Sequence, residues 1–191
     1  MRLFVALPLP GDLIRALARV REALRSDGEA AGARFTRPEG IHLTLRFLGE
    51  TEAGRLEEVA TAFAAAVAGT GALSLRASGI GFFPDPRRPR VIWVGVEGED
   101  ARLQALALRC EEEARRLCFA PEARPFRPHL TLARVEGRSA GQGSHERLVA
   151  AAARLDTREL ASWLAATACL FESVLRPGGA LYTVRRELPL T

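Results

Sequence analysis

Two tetrapeptides, His42-Leu43-Thr44-Leu45 and His129-Leu130-Thr131-Leu132, each set an imidazole two positions before a hydroxyl. Leu-Thr-Leu suits a pleated, half-buried strand, and a period of two puts His and Thr on one face. The likeness reaches back to Arg37-Pro38 and Arg124-Pro125, which makes six identities in the nine positions from Arg37 to Leu45 and Arg124 to Leu132. The chain has 3 histidines and spends two of them identically. One site assembled from two related halves therefore carries two imidazoles and two hydroxyls, with no carboxylate cluster in either motif. That set suits displacement at a phosphoryl group: a neutral His takes a proton from the nucleophile, a charged His gives one to the leaving oxygen, and the threonines hold phosphoryl oxygens. With no third ligand in either motif, a metal site is a poor reading, and no cofactor is expected. His145, in a Ser/Gly-rich stretch without a matching Thr, reads as a surface residue.

The elements that must position the motifs follow from apolar periodicity. Leu3 to Leu7 reads as a strand stopped by Pro8, and Gly11-Asp12 as the start of a helix with Leu13, Ile14, Leu17, Val20 and Leu24 on one face. Ser26 to Gly32 reads as a polar break before the first motif strand. A second helix is expected from about Thr51, with Leu56, Val59, Phe63 and Val67 inward and Gly69 ending it. Strands are expected from Leu73 to Ala77 and from Val91 to Val96, flanking a loop that holds Gly79, Gly81, Pro84, Pro86 and Pro89. Gly79-Ile80-Gly81 lacks the third glycine and the helix of a dinucleotide loop. A helix from about Asp100 to Cys118, the second motif strand, a loop from Gly137 to Ser144, a helix to about Leu155 and two closing strands complete the chain. The closing strands run from Cys169 to Leu175 and from Leu181 to Glu187, with Arg176-Pro177-Gly178-Gly179 as their turn.

At this point the sequence resembles the 2H phosphoesterases, defined by two His-x-Thr/Ser-x motifs, and within them the RNA 2′,3′-cyclic phosphodiesterases also called 2′-5′ RNA ligases. The resemblance runs through Arg2-Leu3-Phe4-Val5-Ala6, His42 to Glu50, Gly79 to Pro84, and Phe126 to Arg134. It implies an α+β fold: one bilobal domain over residues 1–191 with an internal duplication, each lobe a mainly antiparallel sheet packed on helices. A pseudo-twofold axis would relate the lobes, with the motif strands lining the cleft between them. It further implies His42 as the general acid on the departing ribose 3′ oxygen, His129 as the base on water, and a 2′-phosphomonoester product. In reverse, the same pair would join a cyclic-phosphate end to a 5′-hydroxyl end through a 2′-5′ bond.

Five residues after each histidine stand Phe47 and Arg134, positions that the resemblance assigns to stacking on the terminal base and binding the phosphate. Strict alternation turns both away from the histidine face, so either the strand bulges after the motif or these residues act from elsewhere. Phe47 is open between base platform and core. Arg46 has the right parity for a second phosphate contact, and a surface salt bridge is its alternative. Arg87, Arg88 and Arg90, with Arg124 and Arg127, either steer RNA or belong to solvated loops.

Bulk properties agree with an ordinary globular chain of 191 residues with 48% hydrophobic content. No apolar run approaches the roughly 20 residues of a membrane helix, and the opening residues lead into Pro8 and Pro10 rather than a signal-peptide core, so a cytoplasmic location is expected. Cys110, Cys118 and Cys169 lack metal-ligand spacing and read as reduced thiols. A formal charge of +4 permits an anionic partner without demanding one. The expected partner is RNA or an oligonucleotide ending in a 2′,3′-cyclic phosphate. Two alternatives stay open: a phosphodiesterase for a small cyclic nucleotide or ADP-ribose derivative, and a non-catalytic RNA-binding module.

Overall fold

The computed structural model describes residues 1–135, 142–176 and 179–191. In chain order the elements are β1 (Arg2–Leu7), α1 (Gly11–Ala30), β2 (Ala33–Phe35), β3 (Leu43–Glu50), α2 (Leu56–Val67), β4 (Leu73–Phe83), β5 (Val91–Gly98) and α3 (Asp100–Arg116). Then come β6 (His129–Val135), α4 (Gln142–Arg154), β7 (Ala161–Ala165), β8 (Thr167–Arg176) and β9 (Gly179–Pro189). Short 3₁₀ turns at Pro38–Gly40 and Ala53–Arg55 lead into β3 and α2. No helix among the described residues is long and apolar enough to cross a membrane.

Several elements outrun their sequence signals. α1 continues through the expected break at Ser26, because its buried stripe of Leu13, Leu17, Val20 and Leu24 is extended by Gly28. A Cβ at Gly28 would lie 2.5 Å from the Phe35 ring, so the missing side chain admits that ring against the helix. β4 likewise runs through the expected loop. Gly79, at φ +66°, takes up the irregularity in pairing between Ser78 and Ile80, and the strand resumes beyond it. α2 begins later than Thr51, whose backbone N–H instead donates to the Met1 carbonyl. Gly143 and Ser144 open α4 rather than belonging to a loop. The part of that expected loop from 137 to 141, and the Pro177-Gly178 part of the last turn, lie outside the described residues.

The strands form one curled antiparallel sheet in the order β7-β4-β5-β6-β3-β1-β8-β9, with β2 beside β6. The motif strands β3 and β6 sit at the centre, and each is followed outward by the strand that opens its half of the chain, β1 or β5. The next places are exchanged: β4, late in the first half, pairs with β5, and β8, late in the second, pairs with β1. The helices cross over in the same way, α1 packing with α4 and α2 with α3.

The core lies between the sheet and these helices. It holds the fully buried Leu43 and Leu130 together with Leu13, Leu17, Phe63 and Leu103. β3 and β6 share one residue pair, Leu43 with Leu130; on one side of it β3 runs on past the start of β6, and on the other β6 pairs with β2 through Ala133 to Val135. The face of the sheet away from the main core carries a cleft. Leu43→Ala should cost about 2–5 kcal/mol, as expected for a large-to-small change at a fully buried position. The shift in urea midpoint measures it.

Candidate active site

Antiparallel pairing of Leu43 with Leu130 sets His42 at the register position of Thr131, and Thr44 at that of His129. The two imidazoles act on each other electrostatically, and the four side chains form a quartet on one face of the sheet. All four are half-buried while the leucines between them are buried, which puts the quartet on the cleft face. Both imidazoles are held alike. His42 Nδ1 donates to the Gly40 carbonyl at 2.9 Å, and His129 Nδ1 donates to the Arg127 carbonyl at 2.7 Å. A carbonyl can only accept, so each neutral ring carries its proton on Nδ1 and leaves Nε2 as the basic nitrogen.

Aromatic rings surround each histidine. His42 stacks on Phe4 at a centroid distance of 4.6 Å, lies over Phe171 at 5.9 Å and meets Tyr182 edge-on at 5.0 Å. His129 meets Phe83 edge-on at 5.1 Å and Trp93 at 6.3 Å. Gly81 makes room for Trp93, since a Cβ there would lie 2.1 Å from the indole. Burial pushes the His42 imidazole down to about 4; the Gly40 bond opposes this and the neighbouring His129 reinforces it. His129 is also lowered, again by burial first, with the Arg127 bond opposing and Arg134 adding to the effect. Both rings are therefore neutral near pH 7 in the free protein.

Both motif strands bulge just after the motif. Opposite β1, Ala6 pairs with Thr44 and Val5 with Arg46, so Leu45 is extra; opposite β5, Trp93 pairs with Thr131 and Ile92 with Ala133, so Leu132 is extra. Leu45 and Arg46 are consequently buried in succession, as are Leu132 and Ala133, and the next residues return to the cleft. Phe47, 49% exposed, and Arg134 both line it. Of the two readings of Phe47, the exposed cleft position is observed and the core is not. Phe47 leans on Phe4 at 5.7 Å.

The same bulge removes Arg46 from the cleft. Its guanidinium is 3% exposed and pairs with Glu111 of α3 at 2.5 Å and with Glu122 at 3.6 Å. It also donates to the carbonyls of Phe47 and Ala120. The alternation that made Arg46 a phosphate candidate breaks at Leu45, so the residue braces the back of the motif strand instead. His145 sits on α4 and is partly buried rather than on an open loop.

A cleft of about 520 Å³ adjoins the quartet and is lined by Arg2, Arg34, Arg37, Arg134 and Arg176 as well as Phe47. None of Arg87, Arg88, Arg90, Arg124 and Arg127 lines it. Sequence reasoning gave no role to Phe4, Phe83, Trp93, Phe171 or Tyr182. Tyr182 is the chain's one tyrosine, and that was the available signal. Burial raises its phenol, while Arg134 and Arg2 act in the opposite sense, which places both guanidinium groups within its field. Among the described residues no group of three or more His, Cys, Asp or Glu side chains converges as metal ligands would.

Comparison with known proteins agrees with this geometry. The model of the family described as LigT like Phosphoesterase matches twice, over residues 7–93 and 94–182. The chain belongs to the LigT-like phosphoesterases of the 2H superfamily. Each match contains one motif. A relative in Methanothermobacter thermautotrophicus, named RNA 2′,3′-cyclic phosphodiesterase, is 31% identical over 183 residues, covering 96% of this chain and 95% of its own. One of the same name in Archaeoglobus fulgidus is 35% identical over 136 residues, 71% of this chain and 73% of its own. The crystal structure of TT0787 of Thermus thermophilus superposes with a TM-score of 0.80 at 27% identity, covering 100% of this chain and 98% of that one. The α+β architecture and the family resemblance are thus both observed.

Arg46→Ala should lose about 3–5 kcal/mol of stability, because it leaves Glu111 and Glu122 without the buried cation. Adding Glu111→Leu should restore part of the loss. Urea denaturation reads both; lowered substrate affinity at unchanged stability would instead return Arg46 to the cleft.

Proposed function

We propose that this chain hydrolyses the 2′,3′-cyclic phosphate at the 3′ end of RNA to a 2′-phosphomonoester, acting as one bilobal unit over residues 1–191. The observation that carries the reading is the quartet of two histidines and two threonines, with both imidazoles locked in the same tautomer. The names of the relatives in Methanothermobacter thermautotrophicus and Archaeoglobus fulgidus support the substrate.

His129 Nε2 removes a proton from water as the water oxygen bonds to phosphorus. The bond from phosphorus to O3′ breaks, and protonated His42 gives its Nε2 proton to that oxygen. Thr44 and Thr131 donate to the non-bridging oxygens, Arg134 offsets their charge, and Phe47 receives the terminal base on its exposed ring. With a 5′-hydroxyl in place of water as the nucleophile, the same transfers form a 2′-5′ bond and free the 3′-hydroxyl. Acid, base and phosphate donors all come from side chains, so the steps as written call on no cofactor.

The aromatic surroundings have a purpose in this scheme. An imidazolium that burial makes strongly acidic yields its proton readily to a poor leaving group, and the arriving phosphate anion supplies the charge that lets it form. His42→Ala and His129→Ala should each lower kcat by roughly 10²- to 10⁴-fold without unfolding the protein. A substrate with a better leaving group than a ribose oxygen should rescue His42→Ala far more than His129→Ala; equal rescue would reverse or dissolve the assignment.

The pH dependence carries a sign. kcat/KM reports the free enzyme, where both imidazoles titrate below their ordinary 6.5, so both limbs of its bell should lie on the acid side of that value. Bound phosphate stabilises the imidazolium, so the kcat profile should be displaced to higher pH. A kcat/KM maximum above about pH 7.5 would contradict the burial of the pair.

A further inference from the structure

The cleft lies beside the quartet, whose own side chains do not line it, and reaches it through His42's neighbours Phe4, Gly40 and Tyr182. On β1, Arg2, Phe4 and Ala6 share the cleft face; Ala6 stands opposite Thr44, and Arg2 lies four residues further along. At about 3.3 Å per residue that is roughly 13 Å from the row of the quartet. On β8 the residues paired with them, Cys169, Phe171 and Ser173, share that face, and Ser173 lines the cleft. Across the cleft, the exposed Arg37 comes from the segment that leads to the first motif. The lining includes five arginines and no carboxylate. Glu50 approaches Arg2 at 3.4 Å from outside the lining, and both side chains are more than half exposed, so a phosphate can displace that pairing.

We infer that Arg2 and Arg37 form a second anion subsite, for the phosphate on the 5′ side of the terminal nucleoside, and that the cleft is built for an oligonucleotide. The direction rests on the function proposed above. With the reacting phosphate at the quartet and the terminal base on Phe47, the strand continues past Phe4, which Phe47 touches, toward Arg2. A mononucleotide has no group to place there. The cleft is basic over its whole lining, in a chain whose net charge is only +4.

The test compares two substrates and one unreactive ligand on the Arg2→Ala/Arg37→Ala double variant. Its kcat/KM on a trinucleotide ending in a 2′,3′-cyclic phosphate should fall about tenfold or more, and the salt dependence on that substrate should flatten by about one unit of log–log slope. Its kcat/KM on adenosine 2′,3′-cyclic phosphate should change less than about twofold, since that substrate lacks the second phosphate. Fluorescence anisotropy with a labelled trinucleotide ending in a 2′-phosphate reads the subsite without turnover, and the variant should bind it about tenfold more weakly. Equal losses on both substrates, or unchanged trinucleotide binding, would overturn the subsite. If the wild type hydrolyses neither substrate while arginine-dependent binding persists, the subsite stands and the catalytic reading falls.

Discussion

One backbone contact governs the geometry of this protein: the pairing of Leu43 with Leu130 at the middle of the sheet. It sets the register of the two motifs, and from that register alone each histidine faces the other motif's threonine. Had β3 and β6 paired along their whole length, the face would be an ordinary sheet surface with no room for a substrate. Because β6 pairs with β3 at that one position and with β2 further along, the site lies where the two motif strands meet only briefly. The buried leucines make this narrow seam strong, since both are fully enclosed by the helices behind the sheet.

The second constraint is desolvation. Four rings from β1, β4, β8 and β9, Phe4, Phe83, Phe171 and Tyr182, contact one histidine or the other. They form a cluster separate from the main core on the His42 side, where Phe4, Ala6, Cys169 and Phe171 pack together with Tyr182. This burial lowers both imidazoles, and the Nδ1 bonds leave Nε2 of each as the basic nitrogen. The arginines lie further out, where a guanidinium keeps its hydration until an anion arrives.

Much of this was legible in the sequence, because a strand's period of two survives translation into structure. The duplicated His-x-Thr pattern and the apolar stripes of α1, α2 and α3 follow from spacing, and the α+β fold from the family resemblance. The bulges at Leu45 and Leu132 do not, since an extra residue leaves no compositional mark, and without them Phe47, Arg134 and Arg46 fall on the wrong faces. Gly79 and Gly81 look like loop residues in sequence; one accommodates a bulge and the other makes room for Trp93. The short strand β7 carries too few residues, and too much alanine, to announce itself. Aromatic partners from distant strands were invisible for a different reason: their proximity is a property of sheet order.

The exchange of β4 and β8 between the halves bears on how such a chain could arise. Neither half encloses a sheet of its own, because β4 of the first half pairs with β5 of the second and β8 of the second pairs with β1 of the first. A gene encoding one half would satisfy the same pairings only as a homodimer with swapped strands, and that dimer would own a symmetric pocket with one histidine from each subunit. Fusion of two such genes frees the copies to diverge, so that one imidazole can specialise in giving a proton and the other in taking it. The asymmetry of Phe47 and Arg134, at equivalent positions after the two motifs, is what that freedom looks like in the present-day chain.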